Sequence, residues 1–168
     1  MSDLALLVAF PALMAFAAAS DLLTMTIPNR LSLALVAAFG VFVLVVGLSW
    51  HDVAMHLAAG TLVLTISFAM FALGWIGGGD AKLAAATALW LGFGSLMDYL
   101  LIASVLGGAL TLALLFMRKL PLPAFALGWD WVVRLHHPKT GIPYGIALAA
   151  AGLIVYPKSS IWMAAFGA

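Results

Sequence analysis

The 168-residue chain is 66% hydrophobic and 8% charged, with a mean hydropathy of +1.21 and a formal net charge of +1. A water-soluble domain of that composition would expose an almost wholly apolar surface, so the chain reads as a polytopic membrane protein with room for one helical bundle. There is no cysteine, which excludes disulfides and thiolate metal sites, and every acidic residue is an aspartate.

A membrane-crossing helix needs about 20 mainly apolar residues. That rule predicts an all-α membrane bundle of about six transmembrane helices. The first span runs from Leu4 to about Leu23. Residues 1–20 read as part of it and not as a cleaved signal peptide, because the start holds Asp3 and no Lys or Arg. Asp21 lies at the end of this span. A solvated boundary acid is common there, but a carboxylate at a helix C-terminus meets the negative end of the dipole, which favours a functional reason for it. Ile27-Pro28-Asn29 follows. Pro28 and Asn29 read best as a turn into the next helix.

Span two is read as Leu31 to Trp50 and span three as Ala54 to Ile76. Asp52 reads as a solvated loop acid. Next comes Gly77-Gly78-Gly79-Asp80-Ala81-Lys82. Asp80 suits a helix N-cap. The three glycines exceed what a cap needs; they let backbone or an extended peptide approach closely. Lys82 reads as an orientation charge, or as a group that tunes the acid or holds substrate backbone. Spans four and five are read as Ala81 to Met97 and Tyr99 to Met117, with Asp98 as a loop acid between them. Arg118 to Gly141 is the one long connection, rich in aromatics (Phe125, Trp129, Trp131), and suits an interfacial piece. Span six is read as Ile142 to Tyr156. His136-His137 has no second ligand pair at metal-binding spacing, so no metal is expected.

Charge counting sets the orientation. The connections after spans one, three and five hold Arg30, Lys82, Arg118, Lys119, Arg134 and Lys139, against Lys158 alone on the other side. By the positive-inside rule those connections are cytoplasmic and both termini lie outside. Asp21 and Asp80 then share the cytoplasmic face. Ionisable groups at membrane depth are functional candidates by default, because burying them is costly. Two neighbouring carboxylates share a proton: one can take a proton from water while the other donates to a peptide carbonyl or leaving nitrogen. A small transporter or channel, and a non-catalytic assembly subunit of a pilus or secretion machine, are the alternatives that composition leaves open.

Asp21 with Ile27-Pro28-Asn29, the Gly77 to Lys82 element, and Gly141-Ile142-Pro143-Tyr144-Gly145 together resemble the prepilin peptidases, in particular the small CpaA/TadV-like branch serving Flp/Tad pili. The resemblance runs in order over nearly the whole chain. It implies a membrane aspartic endopeptidase of the bacterial inner membrane. Such an enzyme removes a short basic leader from prepilins or pseudopilins at the cytoplasmic face. It also implies that Asp21 and Asp80 are the catalytic pair and that Gly77, Gly78 and Gly79 shape the site, with Lys82, Pro28, Asn29, Pro143, Tyr144 and Gly145 as supporting residues. No cofactor and no nucleic acid is implied; the partners are the prepilin and the lipid bilayer, and a homo-oligomer is left open. Longer family members carry a cytoplasmic domain with paired Cys-x-x-Cys motifs that methylates the new N-terminus. With no cysteine here, residues 1–168 are expected to form a single peptidase domain without that activity.

Overall fold

The computed structural model describes residues 2–166, and side chains for 8–165. Among the described residues seven α-helices run in order: α1 (Ser2–Thr24), α2 (Asn29–Val46), α3 (Trp50–Ala72), α4 (Gly78–Met117), α5 (Asp130–His136), α6 (Tyr144–Val155) and α7 (Ser160–Phe166). No strand occurs among the described residues. Three of the helices, α2, α3 and α4, are long and apolar enough to cross a membrane, and 8–24 and 144–158 are shorter apolar stretches.

The surface is what lipid requires. Large apolar side chains point outward, including Leu44, Phe68, Val105, Leu112 and Phe116, while the interior holds many small residues such as Ala81, Ala85, Ala88 and Ala149. Without a hydrophobic drive between helices in lipid, close packing through small residues holds them together. The buried polar groups Ser67, Thr87 and Ser159 donate to backbone carbonyls. One bulky cluster completes the core. Trp90 is fully buried, donates its indole N–H to the Leu35 carbonyl at 2.9 Å, and packs against Phe10, Phe39, Phe42 and Tyr156.

The element boundaries differ from the expected spans where local chemistry overrides hydropathy. Helix α2 stops at Val46, because Gly47 adopts the left-handed cap at φ 73°. Trp50 therefore opens α3 and does not close α2. The Ser49 hydroxyl caps α3 by accepting from the Asp52 N–H, and it donates to the Asp52 carboxylate at 2.6 Å. Asp52 is thus a first-turn helix acid and not a loop acid. Asp98 is likewise helical, inside α4.

The expected loop between spans four and five does not exist at Met97–Tyr99; the break lies at Gly92, with φ 63° and ψ 179°. Only glycine occupies that region without strain. A straight 40-residue helix would be about 60 Å long. Yet Asp80 at its start and Arg118 just past its end line the same cavity. The chain therefore doubles back at Gly92, and α4 is two legs, 78–91 and 93–117. Helix α6 runs beside both: Gly152 faces Thr87 on the first, and Tyr144 and Ala147 face Gly107 on the second. The break frees helix carbonyls, and buried His56 satisfies one of them. Its Nδ1–H donates to the Leu89 carbonyl at 2.8 Å, and the other ring nitrogen meets the Ser160 hydroxyl at 3.2 Å.

Candidate active site

Asp21 is buried in the last turns of α1, and the route out of that helix decides what surrounds it. Met25 is left-handed at φ 57°, unusual for a residue with a Cβ and costing about 1–2 kcal/mol. Short bonds offset the strain. The Met25 N–H donates to the Asp21 carbonyl at 2.8 Å, the Ser20 hydroxyl to the Thr26 carbonyl at 2.8 Å, and the Thr24 hydroxyl to the Ser20 carbonyl at 2.7 Å. This turn swings Ile27 back against the acids.

Asp80 reaches the same place from α4. Gly77 is the N-cap, in an extended conformation, which makes Asp80 the third helical residue and not the cap itself. From there its carboxylate reaches back to the Gly77 N–H, the acidic half of a capping box. It also lies in the first turn, where the helix dipole favours negative charge.

Three close approaches bring the acids together. Gly145 donates its N–H to Asp21 Oδ2 at 2.7 Å. A Cβ on Gly145 would stand 2.7 Å from that same oxygen and 2.7 Å from Ile27 Cδ1. A Cβ on Gly79 would stand 3.1 Å from Ile27 Cβ. Ile27 is therefore a wedge with α6 on one side and the start of α4 on the other. Asp21 and Asp80 line one open cavity of about 1200 Å³, and Asp80 feels the charge of Asp21. Gly77, Gly78, Gly79 and Tyr144 also line it. The Tyr144 hydroxyl shares a hydrogen bond of 2.9 Å with Thr111, tying α6 to the second leg of α4. Pro143 is buried as the N-cap of α6.

Not every residue singled out from sequence lies there. Lys82 points into a second cavity and donates to Asn29 Oδ1 at 2.8 Å, so these two residues pin α2 to α4 on a different face. Pro28 is the N-cap of α2, and its carbonyl accepts from Leu31 N–H at 3.0 Å.

Other residues of the cavity were not singled out from sequence. Arg118, counted only as an orientation charge, donates to the carbonyls of Leu135, Thr140 and Gly141 at 2.8, 2.9 and 2.9 Å, and so clamps the long connection over the cavity. Arg134, on α5, donates to the Leu23 carbonyl at the end of α1. Both arginines and Trp75 line the cavity. An arginine that gathers carbonyls carries no sequence signature apart from its charge. Among the described residues, no group of three or more His, Asp or Glu is placed to hold a metal.

The cavity thus opens on both carboxyl groups and on the glycine turn. Residues 8–112 match the profile of the type IV leader peptidase family. Over 139 residues the chain is 33% identical to a prepilin leader peptidase/N-methyltransferase of Aeromonas hydrophila, covering 80% of this chain and 42% of that protein. A protein of the same description from Aeromonas salmonicida strain A449 is 32% identical over the same length. The chain thus aligns with less than half the length of these curated relatives. No solved structure matches it. With the profile covering well over half of its residues, the chain belongs to the type IV leader peptidase family.

Proposed function

We propose that the protein is a membrane aspartic endopeptidase that removes a short basic leader from a prepilin or pseudopilin, with Asp21 and Asp80 as its acid–base pair. The observation that carries this reading is the convergence of the two aspartates, from helices far apart in sequence, on one open cavity. Two carboxyl groups at close quarters share one proton. The ionised member takes a proton from the attacking water and later passes it to the leaving nitrogen, while the protonated member donates to the peptide carbonyl and regains its proton as the tetrahedral diol collapses to the new carboxyl group. No covalent intermediate forms. The titration belongs to the pair, so neither residue has a fixed role. The Gly145 N–H fixes one oxygen of Asp21, and the Gly77–Gly79 turn leaves room for an unwound substrate backbone.

The proposed setting is the cytoplasmic face of a bacterial inner membrane, with both termini outside and Flp/Tad-type pilins as the substrate class. Support for the face comes from basic residues gathered at the end of the bundle that holds the acids, including Arg118 and Arg134. A prepilin helix lies in the bilayer beside the bundle while its leader projects to the acids, where water is available.

Co-expression with a candidate prepilin tests it. Wild-type protein should produce a leader-sized mobility shift. Asp21→Asn and Asp80→Asn should each abolish the shift while accumulating normally in the membrane. Normal processing by both single variants overturns the proposal. Solute transport in proteoliposomes without cleavage would favour the transporter alternative.

A further inference from the structure

Helices α2 and α3 are consecutive, yet they hardly touch; each packs on the first leg of α4 instead. Trp90 anchors α2 to that leg through Leu35. Gly60 anchors α3, since a Cβ there would stand 3.0 Å from Leu89 Cβ. The gap between the two helices is a groove of about 520 Å³, with Ala85 and Ala86 contributed by α4 and Leu33, Val36, Leu57 and Leu64 from the flanking helices. Leu33, Leu57 and Leu64 are exposed, so the groove opens outward to where lipid lies.

The polar groups of this groove come from Asn29, Ser32, Thr61 and Lys82. The Lys82 ammonium donates to the neutral amide of Asn29 and forms no ion pair among the described residues. The Ser32 hydroxyl oxygen is buried and has no hydrogen-bond partner. Buried polar atoms are nearly always paired, so an orphan that lines a groove asks for a ligand atom. Asn29, Ser32 and Lys82 all belong to the first turns of their helices, so the cation and the unpaired hydroxyl gather toward one end, with hydrocarbon walls beyond.

We propose that this groove is a binding site for one anionic phospholipid, with its phosphate on Lys82 and the Ser32 hydroxyl and an acyl chain laid between α2 and α3. Charge decides against the apolar helix of a substrate as the occupant. A chain with a basic leader would bring like charge to Lys82, and a helix is about 10–12 Å across with its side chains.

Native mass spectrometry of the full chain in detergent, titrated with a phosphatidylglycerol or a phosphatidylcholine of the same acyl chains, tests this. Wild type should retain the anionic lipid about five-fold better, the share of one lysine acting on an anionic headgroup. Lys82→Met should bring that preference close to unity, Lys82→Arg should keep it, and Ser32→Ala should weaken binding of the anionic lipid. Leu57→Trp, which fills an outward-facing wall position, should reduce retention of both lipids. An equal preference in wild type and Lys82→Met overturns the proposal. So does a photo-crosslinker at position 57 that captures a co-expressed prepilin and no lipid.

Discussion

The backbone of Gly145 is hydrogen-bonded to the carboxylate of Asp21 at 2.7 Å, across 124 positions of sequence. The contact exists because residue 145 has no side chain: the space a Cβ would take is already filled by Asp21 Oδ2 and Ile27 Cδ1. Gly145→Ala should therefore displace the carboxylate. A misplacement of about 1 Å costs on the order of a hundred-fold in rate. Leader removal by Gly145→Ala should fall by about that factor while membrane accumulation stays near wild type. Cleavage time courses at matched protein levels check it.

Ile27 couples the two halves of the site, so substitutions on either side of it should not be additive. Gly79→Ala pushes a Cβ to 3.1 Å from Ile27 Cβ and should slow processing. Ile27→Val removes a methyl from the wedge and should restore part of the loss. In a double-mutant cycle the coupling should reach about 0.5 kcal/mol or more. Additive effects would show that the wedge does not carry strain between α4 and α6.

The fold-back should depend on one backbone conformation and one imidazole. Gly92→Ala places a side chain at φ 63° and 2.8 Å from His56 Cε1, a combination that should cost about 1–3 kcal/mol or more. His56→Ala leaves the Leu89 carbonyl unpaired in the interior, at about 1–3 kcal/mol. Both variants should melt at lower temperature in detergent, and the double variant should lose less than the two single losses combined.

Arg118 should act as a clamp and not as a point charge. Its guanidinium meets three carbonyls from two directions, which a lysine ammonium cannot reproduce. Arg118→Lys should loosen 119–141 at about 1.5–3 kcal/mol for the charge-assisted bonds lost. Limited proteolysis within that connection should accelerate even though the net charge is kept. Unchanged cleavage kinetics would count against the clamp.

Much of this architecture was legible in the sequence. Hydropathy alone found the helical bundle, because lipid leaves an apolar helix few alternatives. Asp80 after its glycines and Asp21 at the end of a span were visible as acids at unusual places. What hydropathy could not locate was the reversal. Gly92 sits in an unbroken apolar run, while Asp98, the polar residue nearby, stays helical with its side chain exposed. Backbone strain and carbonyl partners leave no mark in hydropathy. The left-handed Met25, the Ile27 wedge and the carbonyl-gathering Arg118 therefore emerge only from the fold. Lys82 is the converse: two residues from an acid in sequence, it turns onto another face because successive helical positions diverge by about 100°.

The two legs of α4 are unequal: beyond Gly92 the return leg is roughly 16 Å longer than the outgoing one at 1.5 Å per residue. Counting out from Gly92, Ser104 is thus the residue level with Asp80, and the remainder runs on past the acids. Insertions in this chain should obey that asymmetry. A whole extra turn between Thr111 and Arg118 would lengthen the overhang and carry Arg118 about 5 Å from the carbonyls it gathers. One residue added between 80 and 91 would rotate Asp80 by about 100° away from Asp21 without unfolding the bundle.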